Sequence, residues 1–157
     1  MHTPLESDGM KILVASSGRT DESNGPLAAA ASFPWPAGSE IHVLSVIEAV
    51  PAVVAGTAPG APDVTSLQIR SKAEAWRTAA SAAARLAAAG LRAEGVTVEG
   101  NPETAILDHA REWGADVILV GMRDRSLLEK LLLGSVSEGV VKHAPCSVLV
   151  VKHAGAA

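Results

Sequence analysis

The chain has 157 residues, enough for one domain with a single hydrophobic core. Apolar residues make up 48% of it, which excludes a disordered chain, and a net charge of −4 gives no electrostatic reason to expect nucleic acid or an anionic membrane as a partner. No run of about 18 apolar residues occurs, so no membrane-spanning helix is expected.

The ends of the chain and its cysteine content bear on its boundaries and location. Residues 1–9 carry acids and a proline where a signal peptide needs a basic and then an apolar stretch, and we expect a flexible tail there. A second short tail is expected at residues 153–157. The single cysteine, Cys146, excludes a disulfide within the chain. The sequence therefore predicts a cytoplasmic protein with one domain over residues 10–152.

Apolar runs alternate with helical patterns along the first half of the chain. Met10–Ala15 is a predicted strand, and Asp21–Phe33 is a predicted helix that Thr20 caps and two prolines end. Ile41–Ile47 is the second predicted strand. The next segment, Glu48–Thr65, is rich in Pro, Gly and Ala and is long for a connection, which suggests a mobile flap.

Ser66–Ala89 is the longest predicted helix, and Gly90 supplies a left-handed stop after it. Apolar residues recur along it at steps of three and four, which predicts one narrow buried face. That face would consist of Ile69, Ala73, Trp76, Ala80, Ala83 and Ala87.

The second half of the chain continues the alternation. Leu91–Glu99 mixes charged and apolar residues, as an edge strand does, and the Asn-Pro-Glu sequence at 101–103 starts a helix. The buried face of that helix would contain Ile106, Ala110 and Trp113. Asp116–Gly121 is a strand covered on both faces, Gly134–His143 is a helix, and Ser147–Lys152 is the last strand.

This order of elements predicts an α/β fold, a doubly wound three-layer α/β/α sandwich around a five-stranded parallel sheet. The strand order is expected to be 3-2-1-4-5, with Leu91–Glu99 and Ser147–Lys152 at the edges. Such sheets bind ligands outside the carboxyl ends of their strands, where the strand order reverses. Here the strands that meet at that point end in residues 16–18, 46–48 and 121–126.

The segment after the fourth strand has the chemistry of an anion site. Gly121 lets a ligand approach the backbone closely, and Gly134, Ser135 and Val136 offer amides at a helix N-terminus. Hydroxyl groups and positive charges lie nearby in the sequence, on Ser135, Ser137, Arg123, Arg125 and Lys130.

This segment closely resembles the universal stress protein family, which has an adenine nucleotide alpha hydrolase-like fold. The family carries Gly-x2-Gly-x9-Gly-Ser/Thr followed by His-Ala-Pro-Cys-x-Val-Leu-Val-Val, and the chain matches these from Gly121 to Gly134-Ser135 and from His143 to Val151. The opening strand, the Gly-Asn-Pro-Glu-Thr-Ala-Ile-Leu helix start and the Gly-Ala-Asp-Val-Ile-Leu-Val-Gly strand extend the resemblance over essentially the whole chain.

The resemblance implies a regulatory or stress-response module that binds ATP, with Mg²⁺ as its possible companion, or another adenine nucleotide. It also implies a homodimer formed through the last strand, 147–152. Neither a catalytic residue nor a metal ligand is predicted. The nucleotide-binding candidates are Ser17, Gly18, Val46, Gly121, Arg123, Asp124, Gly134, Ser135, Val136 and Ser137.

Two of these positions depart from the family's pattern. Asp124 replaces the second glycine of the motif, and Ser17-Gly18 replaces an Asp-Gly pair near the adenosine moiety. A carboxylate facing phosphate in a partly dry site costs on the order of 1–4 kcal/mol, so Asp124 is expected to weaken nucleotide binding. Arg123 and Arg125 are candidates to offset that cost.

Structural interpretations remain open beside the functional ones. Ser135 with Glu138 is also a capping box, residues 16–18 are also an ordinary turn, and the basic residues suit a solvated loop. The five histidines show no paired ligand spacing, and Cys146 suits a buried structural position.

Two other functions are compatible with the sequence. One is a nucleotide-independent homodimeric interaction protein of the stress response, which keeps the fold and loses the ligand. The other is a hydrolase such as a weak ATPase, for which Asp124 and Glu129 are the only nearby candidates for a general base.

Overall fold

The computed structural model of the chain describes residues 9–16, 24–51, 59–60, 63–122 and 133–152. The nine predicted elements are present, with ends that differ from the prediction by a few residues. The strands are β1 Lys11–Ser16, β2 Glu40–Ile47, β3 Arg92–Glu99, β4 Val117–Gly121 and β5 Ser147–Val151. The helices are α1 Asn24–Ser32, α2 Val64–Ala88, α3 Pro102–Trp113 and α4 Ser135–His143.

All four strand pairings are parallel, and the strand order is β3-β2-β1-β4-β5. The predicted α/β sandwich and its order are therefore confirmed. The central strands are apolar because both of their faces are covered: Ile12, Leu13 and Val14 are at most 1% exposed, and Val117–Val120 are buried. At the β3 edge, charged side chains on Arg92, Glu94 and Glu99 point into solvent.

Each face of the sheet has its own hydrophobic core. On the first face, α1 and α2 cover a cluster that includes Ile12, Val14, Ala30, Ile41 and Leu86. On the second face, α3 and α4 cover the α3/α4-side core, which consists of Leu13, Leu44, Ile106, Ala110, Ala115, Ile118, Val120 and Val140. Within the described part of the chain, no helix has the length and apolar character needed to cross a membrane.

Side-chain caps define the ends of α2 and α3. The Asp63 carboxylate accepts a hydrogen bond from the Ser66 amide at 2.7 Å, which starts α2 two residues before the predicted position and takes Val64 and Thr65 out of the predicted flap. Asn101 caps α3 by accepting from the Thr104 amide at 3.2 Å, as the sequence predicted. Gly90, with φ of 86°, has the expected left-handed conformation.

The predicted buried face of α2 is wrong. Ile69 and Trp76 are 63% and 64% exposed, and of the predicted stripe only Ala83 is buried. The helix instead buries Ala75, Ala79, Ala82, Ala83 and Leu86. The reason is a close approach to the sheet: a Cβ at Gly95 of β3 would overlap the backbone of Ala79 and Ala80, so this contact requires small residues, and the helix is rotated to supply them.

Candidate functional site

The carboxyl ends of β1, β2 and β4 meet at one edge of the sheet, where the strand order reverses between β1 and β4. Gly121 ends β4, and its backbone lies beside Pro26 in the first turn of α1. The amide of Met122 donates to the carbonyl of Val151 at 3.0 Å, which fixes the backbone just beyond Gly121 against β5. This is the position where a doubly wound sheet offers a ligand site.

Ser137 brings the first turn of α4 to the end of β4. Its hydroxyl donates a hydrogen bond to the carbonyl oxygen of Gly121 at 2.8 Å, across 16 residues of sequence. Two of the predicted site segments, Gly121 and Gly134–Ser137, are therefore adjacent in the structure. The hydroxyl of Ser137 is engaged with the protein, so its role at this edge is to hold the helix in position.

The amino-terminal turn of α4 has the form of an anion site. Gly134 is the N-cap in an extended conformation, without a side-chain capping hydrogen bond, and the first helical bond runs from the Glu138 amide to the Gly134 carbonyl at 2.9 Å. The amides of Ser135, Val136 and Ser137 come before that bond, where a helix offers no internal acceptor. Their dipoles favour a negatively charged ligand.

The capping-box interpretation of Ser135 and Glu138 is wrong. The Glu138 carboxylate accepts a hydrogen bond from Lys142 at 2.7 Å one turn later, and this contact lowers the pKa of Glu138. The Ser135 side chain is exposed at the start of the helix, and no side chain among the described residues caps that end with a hydrogen bond. Its hydroxyl is thus free of the structural role that the capping box would have given it.

The two valines among the candidates have side chains that serve the core. Val46 near the end of β2 and Val136 in α4 are half-buried and pack against the α3/α4-side core. A ligand contact by either residue is therefore expected through its backbone. Four other candidates, Ser17, Gly18, Arg123 and Asp124, lie outside the described residues, as do Arg125, Lys130 and residues 52–58 and 61–62 of the predicted flap.

A contact from α3 fixes the middle of α4. The carboxylate of Glu103 occupies the space where a Cβ of Gly139 would lie, and its Oε1 is 3.3 Å from Nδ1 of His143. The same His143 nitrogen lies 3.0 Å from the carbonyl oxygen of Gly139. Ser137 thus joins the first turn of α4 to β4, and Glu103 joins the rest of the helix to α3 at Gly139 and His143.

Neither a metal centre nor a cysteine site emerges from the described residues. They contain no group of three or more His, Cys, Asp or Glu side chains that could hold a metal ion. Cys146 is half-buried before β5, and burial raises the pKa of its thiol, which favours the unreactive protonated form. These properties agree with the structural position that the sequence suggested for it.

One polar arrangement was missed in the sequence. Nδ1 of His42 on β2 lies 3.0 Å from Nε2 of His109 on α3, although the two residues are 67 positions apart. Part of the signal was present in the sequence. His42 lies two residues before Leu44 and therefore on the same face of β2, and His109 lies three residues after Ile106 and therefore on the same face of α3. Both neighbours belong to the α3/α4-side core, so the two histidines face the same layer.

Comparison with known proteins agrees with the fold. The model of the universal stress protein family matches residues 10–152. The chain belongs to the universal stress protein family. The matched range includes every strand and helix in the described part of the chain.

Individual relatives and structures are similar over different lengths. Universal stress protein YxiE of Bacillus subtilis is 38% identical over 81 residues, which cover 52% of this chain and 55% of that protein. A universal stress protein structure from Archaeoglobus fulgidus is 26% identical with a TM-score of 0.72, covering 91% of this chain and 98% of that one. A structure from the same organism in complex with dAMP is 23% identical with a TM-score of 0.67, covering 91% and 98%. The chain thus spans about half the length of the curated relative and nearly all of the solved chains.

Proposed function

We propose that this universal stress protein domain binds an adenine nucleotide at the carboxyl edge of its sheet and acts as a regulatory module of the stress response, without a catalytic centre of its own. The observation that carries the proposal is the first turn of α4, whose three amides lie beside the end of β4 at the point where the strand order reverses.

Within this site the residues have different roles. The amides of Ser135, Val136 and Ser137 and the exposed Ser135 hydroxyl bind phosphate, and the backbone of Gly121 lines the site at the end of β4. The backbone of Val46 lines the adjoining strand end. From the sequence motif, Ser17, Gly18, Arg123, Asp124 and Gly134 complete the proposed set, with Asp124 disfavouring polyphosphate.

The solved structures support an adenine ligand in particular. The Archaeoglobus fulgidus protein with the same fold was crystallised with dAMP, and another structure of the family holds cAMP. Both ligands are adenine nucleotides with one phosphate, which suits a cradle of a few helix amides. The proposed ligands include ATP with Mg²⁺. We also propose a cytoplasmic location, since a single cysteine suits a reducing compartment.

The proposed assembly is a homodimer through β5. This strand is a sheet edge, and Val148 to Val151 are apolar and only half-buried. The carbonyl of Val151 points at β4, so by alternation the backbone groups of Val148 and Val150 point away from the sheet. Val141 on the neighbouring α4 adds an apolar side chain that is 43% exposed. A two-fold contact would pair both edges at once.

Calorimetry with the purified chain tests the nucleotide proposal. We expect AMP and ATP to bind and GMP to bind more weakly. Because Asp124 is proposed to disfavour polyphosphate, its carboxylate should lower the affinity for ATP more than the affinity for AMP. Ser135→Ala is the matching variant: the exposed hydroxyl makes no capping hydrogen bond among the described residues, so the fold is retained while the phosphate loses a donor.

Weaker nucleotide binding by Ser135→Ala at unchanged thermal stability is the expected result. Absence of adenine nucleotide binding by the wild-type chain would contradict the proposal and favour the nucleotide-independent homodimer. Equal affinity in wild type and variant would place the ligand elsewhere.

A further inference from the structure

A pair of histidines joins β2 to α3, near the amino-terminal ends of the strands and away from the nucleotide site. Nδ1 of His42 and Nε2 of His109 are 3.0 Å apart, within hydrogen-bond distance. The His42 ring stacks on Trp113 with 3.7 Å between ring centroids, and 16% of its side-chain surface is exposed. Lys11 donates to the Trp113 carbonyl at 3.1 Å, which fixes the end of α3 against β1.

The number of protons on the two rings decides whether they attract or repel each other. A hydrogen bond between two imidazoles needs one N–H and one bare ring nitrogen. The pair satisfies this when both rings are neutral, and still does when it carries one extra proton. With two extra protons, both facing nitrogens carry hydrogen, and two positive charges lie 3.0 Å apart in a partly buried position.

The surroundings do not supply enough negative charge to compensate. Burial is the largest influence on both rings and lowers the pKa of His42 and of His109, and for His42 the charge of His109 is the next cause. The Glu94 carboxylate is 3.8 Å from Nε2 of His42 but its side chain is 75% exposed, so water screens it. The charged groups facing the pair come from β1, β2, β3 and α3, and they are Lys11, Glu40, Glu94 and Glu112.

We propose that His42 and His109 form an acid-sensitive latch that holds α3 on the sheet, closed with at most one extra proton and opened by the second. Because the pKa of each histidine is lower in the folded protein than in the unfolded chain, the unfolded chain binds more protons below about pH 6.5. The contribution of the latch to the free energy of unfolding is therefore complete above that pH and is lost progressively as the pH falls below it. This response to acid needs no nucleotide.

Urea unfolding of the whole chain between about pH 7.5 and about pH 5 tests the latch. For each additional proton that the unfolded state binds, the unfolding equilibrium constant is expected to rise by up to about tenfold per pH unit. His109→Gln keeps a hydrogen-bonding amide that cannot be charged, and we expect it to flatten this dependence. His42→Gln, which removes the other ring of the pair, should flatten the dependence in the same way. Equal slopes for wild type and His109→Gln would overturn the proposal.

Titration of the histidine rings by NMR provides a second test that needs no variant. The latch predicts that His42 and His109 titrate together in two coupled steps, with the second below the ordinary histidine value, and that α3 amides lose hydrogen-exchange protection with that step. Independent titration of the two rings near about pH 6.5 would contradict it.

Discussion

Ser135 and Ser137 stand two positions apart in the sequence motif but have different environments. Ser137 donates to Gly121 from a half-buried position, whereas Ser135 is exposed at the start of α4. We expect Ser137→Ala to lower the free energy of unfolding by about 1 kcal/mol, since it removes an internal hydrogen bond. Ser135→Ala should leave stability within about 0.5 kcal/mol of wild type and weaken nucleotide binding instead.

Urea unfolding and calorimetry on the two variants separate these roles, with Ser81→Ala on the exposed side of α2 as the control for an alanine in a helix. The opposite pattern, in which Ser135→Ala costs stability and Ser137→Ala does not, would contradict the assignment.

For single residues, the sequence predicts which side chains lie together when they belong to one short segment. Gly121, Gly134 and Ser137 belong to one motif, and the structure brings them together because they flank a single strand-to-helix connection. The contact between His42 and His109 could not be predicted in the same way, since it depends on which helix packs over β2. Neither histidine has a partner nearby in the chain, and only the tertiary structure pairs them.

Among the elements, α4 depends on the fit between Glu103 and Gly139. In an exposed helix, Gly→Ala normally stabilises by about 1 kcal/mol, but here the added methyl group would enter the space of the Glu103 carboxylate. The carboxylate is the end of a flexible and partly exposed side chain that can move aside, so we expect Gly139→Ala to change the free energy of unfolding by less than about 1 kcal/mol while it breaks the contact between Glu103 and His143. With Glu103→Ala in the same chain, Gly139→Ala should instead stabilise by about 1 kcal/mol, because no side chain has to move.

A double-mutant cycle in urea measures this coupling directly. Stabilisation by the full helix-propensity amount of about 1 kcal/mol in the wild-type background, or additive effects of the two substitutions, would show that the helices do not meet as described.

The order of the strands could be predicted because burial on both faces leaves a clear mark on β1 and β4. The orientation of α2 could not. Its sequence is rich in alanine on several sides, so apolar spacing alone does not decide which stripe meets the sheet, and the prediction chose the one with the large residues Ile69 and Trp76. The orientation depends on Gly95 of β3, where the lack of a side chain lets the backbone of α2 approach closely.

For the whole molecule, the open edge of β5 predicts a dimer of twice 16.0 kDa. Val150→Pro removes an outward-pointing amide while leaving the bonds to β4 in place, and proline is tolerated at sheet edges. We expect this variant to be monomeric by light scattering. Thr97→Pro is the matched control, because Gly100 donates to Ile47 and, by alternation, the Thr97 amide points outward from the opposite edge.

The control should remain dimeric. A wild-type chain that is monomeric at micromolar concentration, or a Val150→Pro variant that keeps the dimer mass, would contradict pairing through β5.

The central claim, an adenine nucleotide held between the end of β4 and the first turn of α4, is tested most directly by following backbone amides in an NMR titration with AMP. The account predicts that the largest shifts fall on Ser135, Val136 and Ser137 and on Gly121 and Met122, with α2 and β3 unaffected. Shifts centred on another surface, or none at millimolar AMP, would contradict it.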